Sequence, residues 1–398
     1  MTNKSKTKQN QSGFSHIEIF IFLAFIIIIC AVGWRIWRAH HSNSTSSQSS
    51  VTYLTYKTKD VPATFYVGDN GKVIAKVNAP SLDNYLYVYT RDSLALILQE
   101  THQDSLYAPA TNQNYVLVNF NGTAKTLSSS ISAILTSAFS GGSSAILDGT
   151  NEVIYSTCNN TSQNCNLNSV NLTTGATTMY LTEPGIVDVI GMGDPFTLLG
   201  ESNNIIYYAL ANNNSNAQQL NEYSILTNKV IHSFALGSQN STPAISNDYT
   251  DAIYNDGGND GNYYMINLST GNIRAIPSSI DVSLNSVYLW SPNDDYVAFT
   301  SPGLPASSTP PASINVLNIK TGTIDALKTF GDPRYNIATV YMWLSDGELY
   351  YSYDTTTLAN DFGPPYDSGG VNFKINIQSG QVMPDPVPYG DVYVANEP

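Results

Sequence analysis

The segments Ser286–Ser301, SVYLWSPNDDYVAFTS, and Thr339–Asp354, TVYMWLSDGELYYSYD, decide the fold. Val287, Tyr288 and Trp290 of the first recur as Val340, Tyr341 and Trp343 of the second, 53 residues on. Each copy is an apolar run that ends at Trp and passes through a polar turn. That turn is Ser291-Pro292-Asn293-Asp294 in one copy and Ser345-Asp346-Gly347 in the other. A second apolar run follows, Tyr296–Thr300 or Glu348–Tyr353. Turn-forming residues between alternating apolar runs specify a β-hairpin.

Outward from this pair a second element repeats. It is a later hairpin with a Thr/Ser-Gly turn, in VNLTTGATTMYL at Gly175, INLSTGNIRAI at Gly271, LNIKTGTIDAL at Gly322 and INIQSGQVM at Gly380. Looser copies are FYVGDNGKVIAKV at Gly71, VNFNGTAKTL at Gly122 and YSILTNKVIHSF, where Asn228 stands for Gly. Both residue types tolerate positive φ, so the exchange is physically consistent. Successive turns are 51, 53, 53, 43, 51 and 58 residues apart. Further second strands fall at Leu94–Gln99, Glu152–Thr157, Asn204–Leu210 and Thr250–Asn255, and no long apolar run of helical period is evident between them. A period near 50 residues with four short strands per unit is the pattern of a β-propeller blade. The fold class expected is all-β, a seven-bladed β-propeller over 51–398, with a six-bladed ring plus extra strands as the alternative. The terminal run Asp391–Asn396 is expected to join the blade opened by Thr52–Tyr56, which would leave no open edge at the seam.

The run Trp290–Phe299 and the run Ser345–Tyr350 resemble the Ser-Pro-Asp-Gly-x-x-Ala-Phe signature of the WD40-like, TolB-type propeller family. The match covers two blades well and the rest loosely. The resemblance implies a protein-binding platform of the bacterial envelope, or the gating propeller of a larger peptidase. A fold-level analogy of this kind is a weak guide to function.

The N-terminus has a different character. Phe14–Trp34 reads FSHIEIFIFLAFIIIICAVGW. This apolar run is long enough to cross a hydrocarbon core of ~30 Å as a helix. Lys4, Lys6 and Lys8 precede it, Arg35 and Arg38 follow it, and Trp34 and Trp37 stand where interfacial aromatics belong. The sequence Gly13-Phe14-Ser15-His16-Ile17-Glu18 with its basic leader resembles the class III signal of type IV prepilins. The resemblance implies cleavage after Gly13, a methylated Phe14 as the new N-terminus, and Glu18 at mature position five, neutralising a neighbouring subunit's terminal amine. His16 departs from the usual apolar residue. A polar linker, SNSTSSQSS at Ser42–Ser50, stands where the family continues its helix into a small α/β head. An uncleaved signal-anchor helix is the alternative reading. The expected organisation is a basic cytoplasmic leader over 1–13, a transmembrane helix with its flank over 14–41, a flexible linker over 42–50 and a propeller over 51–398. The expected location is the cell membrane, single-pass, with the N-terminus cytoplasmic and the propeller outside the cytoplasm.

Charge and cysteine usage agree with that placement. Charged residues make up only 12% of the chain, and the polar surface must come from Ser, Thr, Asn and Gln. The first 41 residues carry five basic side chains against Glu18, so the remainder carries −18 of a total of −14. An acidic body argues against nucleic acid, whose phosphates require a basic patch. Cys30 lies inside the apolar run. Cys158 and Cys165 flank CNNTSQNC, where a cross-strand disulfide closing a hairpin is expected in an oxidising compartment and two free thiols are the alternative.

Catalytic signals are thin. His102 and His232 each stand without a Cys or His at metal-ligand spacing, and His16, His40 and His41 belong to the N-terminal region. Gly141-Gly142-Ser143-Ser144-Ala145 fails the nucleophile-elbow pattern at its last position. Asp256–Gly261 lacks the acids of a calcium loop at its third and twelfth positions. No catalytic residue, no metal and no cofactor is expected, and the chain reads as a binding module rather than an enzyme. A lyase or glycosidase sited in the channel is the enzymatic alternative. Two long loops, Ser301–Ser313 (SPGLPASSTPPAS) and Leu358–Gly370 (LANDFGPPYDSGG), offer Phe362 and Tyr366 as contact residues. The expected partners are an envelope or surface protein or a glycan, the membrane through the N-terminal helix, and a pilus-type assembly if the signal is processed. An envelope scaffold or sensor is the other non-enzymatic reading.

Overall fold

The structure is a computed structural model. It describes residues 52–56, 64–69, 72–78, 95–102, 111–119, 124–139, 145–148, 151–159, 164–184, 196–212, 217–238, 242–255, 263–276, 288–301, 313–330, 338–353, 371–384 and 392–395. The chain divides into two units, Met1–Gln48 and Ser49–Pro398, and all described residues lie in the second.

The described residues form seven antiparallel sheets in chain order. The first contains β1 (Thr52–Tyr56), β2 (Thr64–Asp69) and β3 (Lys72–Asn78); the second, β4 (Ala95–His102), β5 (Thr111–Asn119) and β6 (Ala124–Thr126). The third has β7 (Ala145–Asp148), β8 (Glu152–Asn159), β9 (Asn164–Asn171) and β10 (Thr177–Pro184). The fourth has β11 (Phe196–Ser202), β12 (Ile205–Asn212), β13 (Ala217–Ser224) and β14 (Lys229–Ser238). The fifth has β15 (Ala244–Ile245), β16 (Asp251–Asn255), β17 (Tyr263–Asn267) and β18 (Ile273–Ile276). The sixth has β19 (Leu289–Trp290), β20 (Tyr296–Ser301), β21 (Ser313–Asn318) and β22 (Ile324–Thr329). The seventh has β23 (Ala338–Ser345), β24 (Glu348–Tyr353), β25 (Val371–Asn376) and β26 (Val382–Pro384). The last strand, β27 (Val392–Ala395), returns to pair with β1, Thr52 opposite Ala395, so the first sheet reads β27-β1-β2-β3. The second sheet has three strands, and residues 79–94, ahead of β4, lie outside the described residues.

From the second sheet to the seventh, each packs face to face on the next. Phe196, Tyr208 and Leu210 of the fourth sheet join Ile154 and Leu167 of the third. Tyr207 and Leu220 join Tyr249 and Ile266 of the fifth, and Ile253 and Met265 join Trp290 and Phe299 of the sixth. Val316 of the sixth sheet meets Trp343, Leu349 and Tyr351 of the seventh. Burying one such large apolar side chain contributes about 1.5–3 kcal/mol, which makes these layered cores the main source of stability. First strands of successive sheets, β7, β11, β15, β19 and β23, approach one another. The Trp of one first strand donates to the preceding first strand, Trp290 Nε1 to Ala244 O at 3.0 Å and Trp343 Nε1 to Leu289 O at 2.9 Å. The repeated Trp of the sequence is thus a joint between neighbouring sheets. Sheets stacked this way about their first strands form a β-propeller.

The outermost strands are exposed edges. Bulges interrupt β3, β10, β14 and β22, which bends these edges away from flat strand pairing with another chain.

One element departs from the expectation of uninterrupted strands. Helix α1 (Ser129–Phe139) links the second sheet to the third. Ile131, Ile134, Leu135 and Ala138 form one face, packed on Tyr115, Val153 and Leu172. Their spacing of three, four and seven is the helical period, and Ser128 caps the start, its Oγ accepting from Ile131 N at 3.4 Å. The run is short and rich in Ser, which conceals it beside the stronger two-residue alternation around it.

Candidate functional site

The two ends of the propeller are built differently. At one end the connections among the described residues are tight. Asn171 Oδ1 accepts from Thr173 N at 3.0 Å and Thr174 N at 2.9 Å, and Gly175 N donates to Asn171 O at 2.8 Å. Asn267, Asn318 and Asn376 repeat this geometry before Gly271, Gly322 and Gly380, and all four glycines have positive φ. In the fourth sheet Ser224 takes the Asn position, its Oγ accepting from Thr227 N at 3.3 Å, while Asn228 takes the glycine's φ at 54°. Sequence reading identified the glycines and missed the asparagines, although Asn stands four residues before Gly in all four close copies.

These turns are knitted to the turns between first and second strands. Leu172 N donates to Asn151 O, Ile225 N to Asn204 O, Leu268 N to Thr250 O, Ile319 N to Asp295 O and Ile377 N to Gly347 O, all within 2.6–2.9 Å. Carboxylates then staple one sheet to the next. Asp294, at φ 58°, accepts from Asn247 N at 2.7 Å, Asn247 Nδ2 at 2.9 Å and Asp248 N at 2.9 Å. Asp346 holds the corresponding place one sheet on and takes a backbone hydrogen bond at Asn293. Desolvation raises its pKa above the ordinary carboxylate value, the Asn293 bond opposes that, and the nearby charge of Asp295 adds to it.

At the opposite end lie the connections between second and third strands. Antiparallel order requires this, because tight turns occupy the other end of the same strands. The connections are β8 to β9, β12 to β13, β16 to β17, β20 to β21 and β24 to β25, and both long Pro-rich loops are among them. The β8–β9 hairpin is fastened by a disulfide between Cys158 and Cys165, which sit directly opposite in register with Cα atoms 4.0 Å apart. Around it, Asn168 Nδ2 donates to Thr157 Oγ1 at 3.1 Å and Thr182 Oγ1 to Asn166 Oδ1 at 2.8 Å. Glu183, opposite Cys165 on β10, accepts from Tyr208 Oη of the fourth sheet at 2.7 Å. Burial raises the Tyr208 pKa far above that of a free phenol, and Glu183 and Tyr223 push the same way. Tyr208 is therefore a fixed hydrogen-bond donor at neutral pH rather than a base.

The remaining sequence candidates divide plainly. Gly13, Phe14, Glu18, Phe362 and Tyr366 lie outside the described residues, as do Gly141–Ser144 and Asp256–Gly261. Among the described residues no helix is long and apolar enough to cross a membrane, and no group of three or more His, Cys, Asp or Glu could hold a metal ion. His232, read as solitary, pairs with Glu222 across the β13–β14 ladder, Nδ1 to Oε2 at 2.7 Å. Hairpin register brings together two residues ten apart, which metal-ligand spacing rules do not detect.

No protein-family model matches the sequence, and no curated protein matches it. Similar solved structures are propellers. A putative 6-phosphogluconolactonase from Bacteroides uniformis is 12% identical over 87% of this chain and 100% of that one, with a TM-score of 0.50. An oligogalacturonate lyase from Vibrio parahaemolyticus is 14% identical over 84% of each chain, with a TM-score of 0.46. TolB from Acinetobacter baumannii is 14% identical over 73% of this chain and 68% of that one, with a TM-score of 0.37. The chain has a β-propeller fold. At such identities the likeness is one of fold alone. It also corrects the expectation of a chain that is not an enzyme. The solved propellers similar to this one include a lyase, an acylaminoacyl peptidase and a protease domain. A propeller with few histidines is thus no ground for excluding catalysis, because the fold hosts both kinds of site.

Proposed function

We propose that the chain is a membrane-anchored, extracytoplasmic β-propeller of seven blades that binds an envelope protein or a glycan. The binding surface in this reading is the end that carries the connections between second and third strands. One observation carries it: both long Pro-rich loops, Ser301–Ser313 and Leu358–Gly370, make the same connection in consecutive sheets. They therefore leave neighbouring blades at one end, with the disulfide-fastened hairpin at the equivalent place in the third sheet. Rigid strands bearing variable loops at one end are the usual setting for partner binding. Phe362 and Tyr366, on either side of two prolines, supply the aromatic contacts. The three-stranded second sheet counts as one of the seven blades in this reading. The apolar run Phe14–Trp34 is the anchor, with Gly13, Phe14 and Glu18 as a prepilin-type processing site, and a pilus-type assembly follows if the signal is cleaved.

The test is full-length protein in detergent with Phe362→Ser and Tyr366→Ser combined, presented to envelope extract and to a glycan array. Loss of captured protein or glycan, with thermal unfolding unchanged, is the expected result. Undiminished capture overturns the assignment to this loop. Intact mass of the native chain separately decides between a methylated Phe14 terminus and an uncleaved anchor.

A further inference from the structure

The exposed large apolar side chains of the described residues gather at one end of the propeller. They are Leu226 (78% exposed), Met179 (66%), Ile273 (50%), Ile231 (40%), Val230 (39%) and Met383 (37%). Leu226 lies in the tight turn between β13 and β14. The other five fall within the first three residues of an outermost strand, just past such a turn: Met179 in β10, Val230 and Ile231 in β14, Ile273 in β18 and Met383 in β26. Four sheets therefore place apolar side chains on the outer rim of the tight-turn end. In β22 the corresponding residues Asp325 and Ala326 are exposed instead. Exposed lysines share this rim: Lys125 in β6, Lys229 at the first position of β14 and Lys320 in the β21–β22 turn. Asp325 is an exposed acid on this rim, whereas Asp248, Asp294, Asp295 and Asp346 belong to the turns between first and second strands, inside it.

Connectivity points to the occupant. Thr52, the first residue of β1, pairs with Asp69, where β2 enters its tight turn to β3. The chain therefore enters the propeller at the tight-turn end. The nine-residue linker Ser42–Ser50 ahead of it reaches about 30 Å fully extended. We infer that a lipid bilayer surface covers this rim, with Leu226, Val230, Ile231, Ile273, Met179 and Met383 at the level of the headgroups and Lys125, Lys229 and Lys320 meeting lipid phosphates. Apolar side chains at the boundary between headgroups and acyl chains, flanked by basic ones, bind such a surface through buried area and charge attraction together. The tight-turn end then faces the membrane, and the long loops face away from it. The inference rests on the membrane-anchor reading above.

The experiment uses the full chain with Cys30→Ser, so that a single introduced cysteine takes an environment-sensitive fluorophore. Leu226→Cys probes the rim. Thr329→Cys probes an exposed site at the other end of an outermost strand, opposite Ser313. Both variants are reconstituted in phosphatidylcholine vesicles, with and without phosphatidylglycerol, and then with lipid carrying a quencher. The expected result is a blue shift and loss of most emission for the probe at 226 and neither for the probe at 329. A larger response with phosphatidylglycerol assigns part of the attraction to the lysines. Flotation with the vesicles while the probe at 226 stays unquenched overturns the rim contact and leaves the anchor standing. Quenching at 329 alone overturns the orientation. A response at 226 that needs added envelope protein and not lipid overturns the lipid occupant. Failure to float overturns the anchor reading itself.

Discussion

Removing the Asp294 carboxylate tests the idea that the tight-turn end is stapled from sheet to sheet. Three donors, Asn247 N, Asn247 Nδ2 and Asp248 N, converge on the two carboxylate oxygens at 2.7–2.9 Å. A hydrogen bond to a charged acceptor is worth ~1.5–3 kcal/mol net. The three share one half-buried group and are not independent, so Asp294→Ala should cost about 2–4 kcal/mol. Backbone conformation supplies an internal control. Asp294 has φ 58°, where a non-glycine residue is strained. Asp294→Gly loses the same staple but relieves about 1 kcal/mol of that strain, so it should be the more stable of the two variants. Asp294→Asn keeps one acceptor oxygen and should fall between wild type and Ala. Urea unfolding of the detergent-solubilised chain gives the order, and amide exchange at Asn247 and Asp248 localises it, because a propeller can open one sheet at a time. Wild-type stability for all three variants, with unchanged exchange at both amides, would refute the stapling argument.

Other expectations follow from single observations. Gly200→Ala should destabilise by about 1–3 kcal/mol on thermal unfolding, because its Cβ would lie 2.8 Å from Tyr249 Oη and 2.9 Å from Cε1 across the fourth and fifth sheets. Replacing Cys158 and Cys165 by Ser should cost roughly 2–2.5 kcal/mol, since the bond closes a loop with a sequence separation of only 7; unfolding with and without reductant checks this. Asp346 has a raised folded pKa, so the folded state binds its proton more tightly than the unfolded state. Its contribution to stability therefore falls as pH rises through that folded value. Asp346→Asn should stabilise the chain at neutral pH, and the gain should shrink as pH falls through the raised folded value and be gone below the ordinary carboxylate value of 3.8.

Much of the propeller was legible because its repeats are local. The expected second strands at Glu152, Tyr296 and Glu348 begin where β8, β20 and β24 begin. Gly175, Gly271, Gly322, Gly380 and Asn228 all adopt the positive φ that their turn positions implied. The return of the last strand to β1 was readable for the same reason, as an unpaired run left over after the last turn. Helix α1 was not legible, since its face of Ile131, Ile134, Leu135 and Ala138 is brief and diluted by Ser and Thr. The candidate site was legible only in part: the Pro-rich loops stand out in the sequence, but their common end follows from strand order.

By itself the sequence determined the periodic alternation, the turn positions, the N-terminal apolar run and the acidic balance of the body, because each depends on residues close together in the chain or on sums over it. Only the tertiary structure decided which residues meet between repeats. The bond from Trp343 to Leu289 O spans 54 residues, that from Asp294 to Asn247 spans 47, and that from Tyr208 to Glu183 spans 25. It also decided that scattered apolar residues, from Met179 to Met383, share one rim. Such contacts depend on how one sheet stacks on the next, and that stacking is fixed by side-chain packing over many repeats rather than by any local run of sequence.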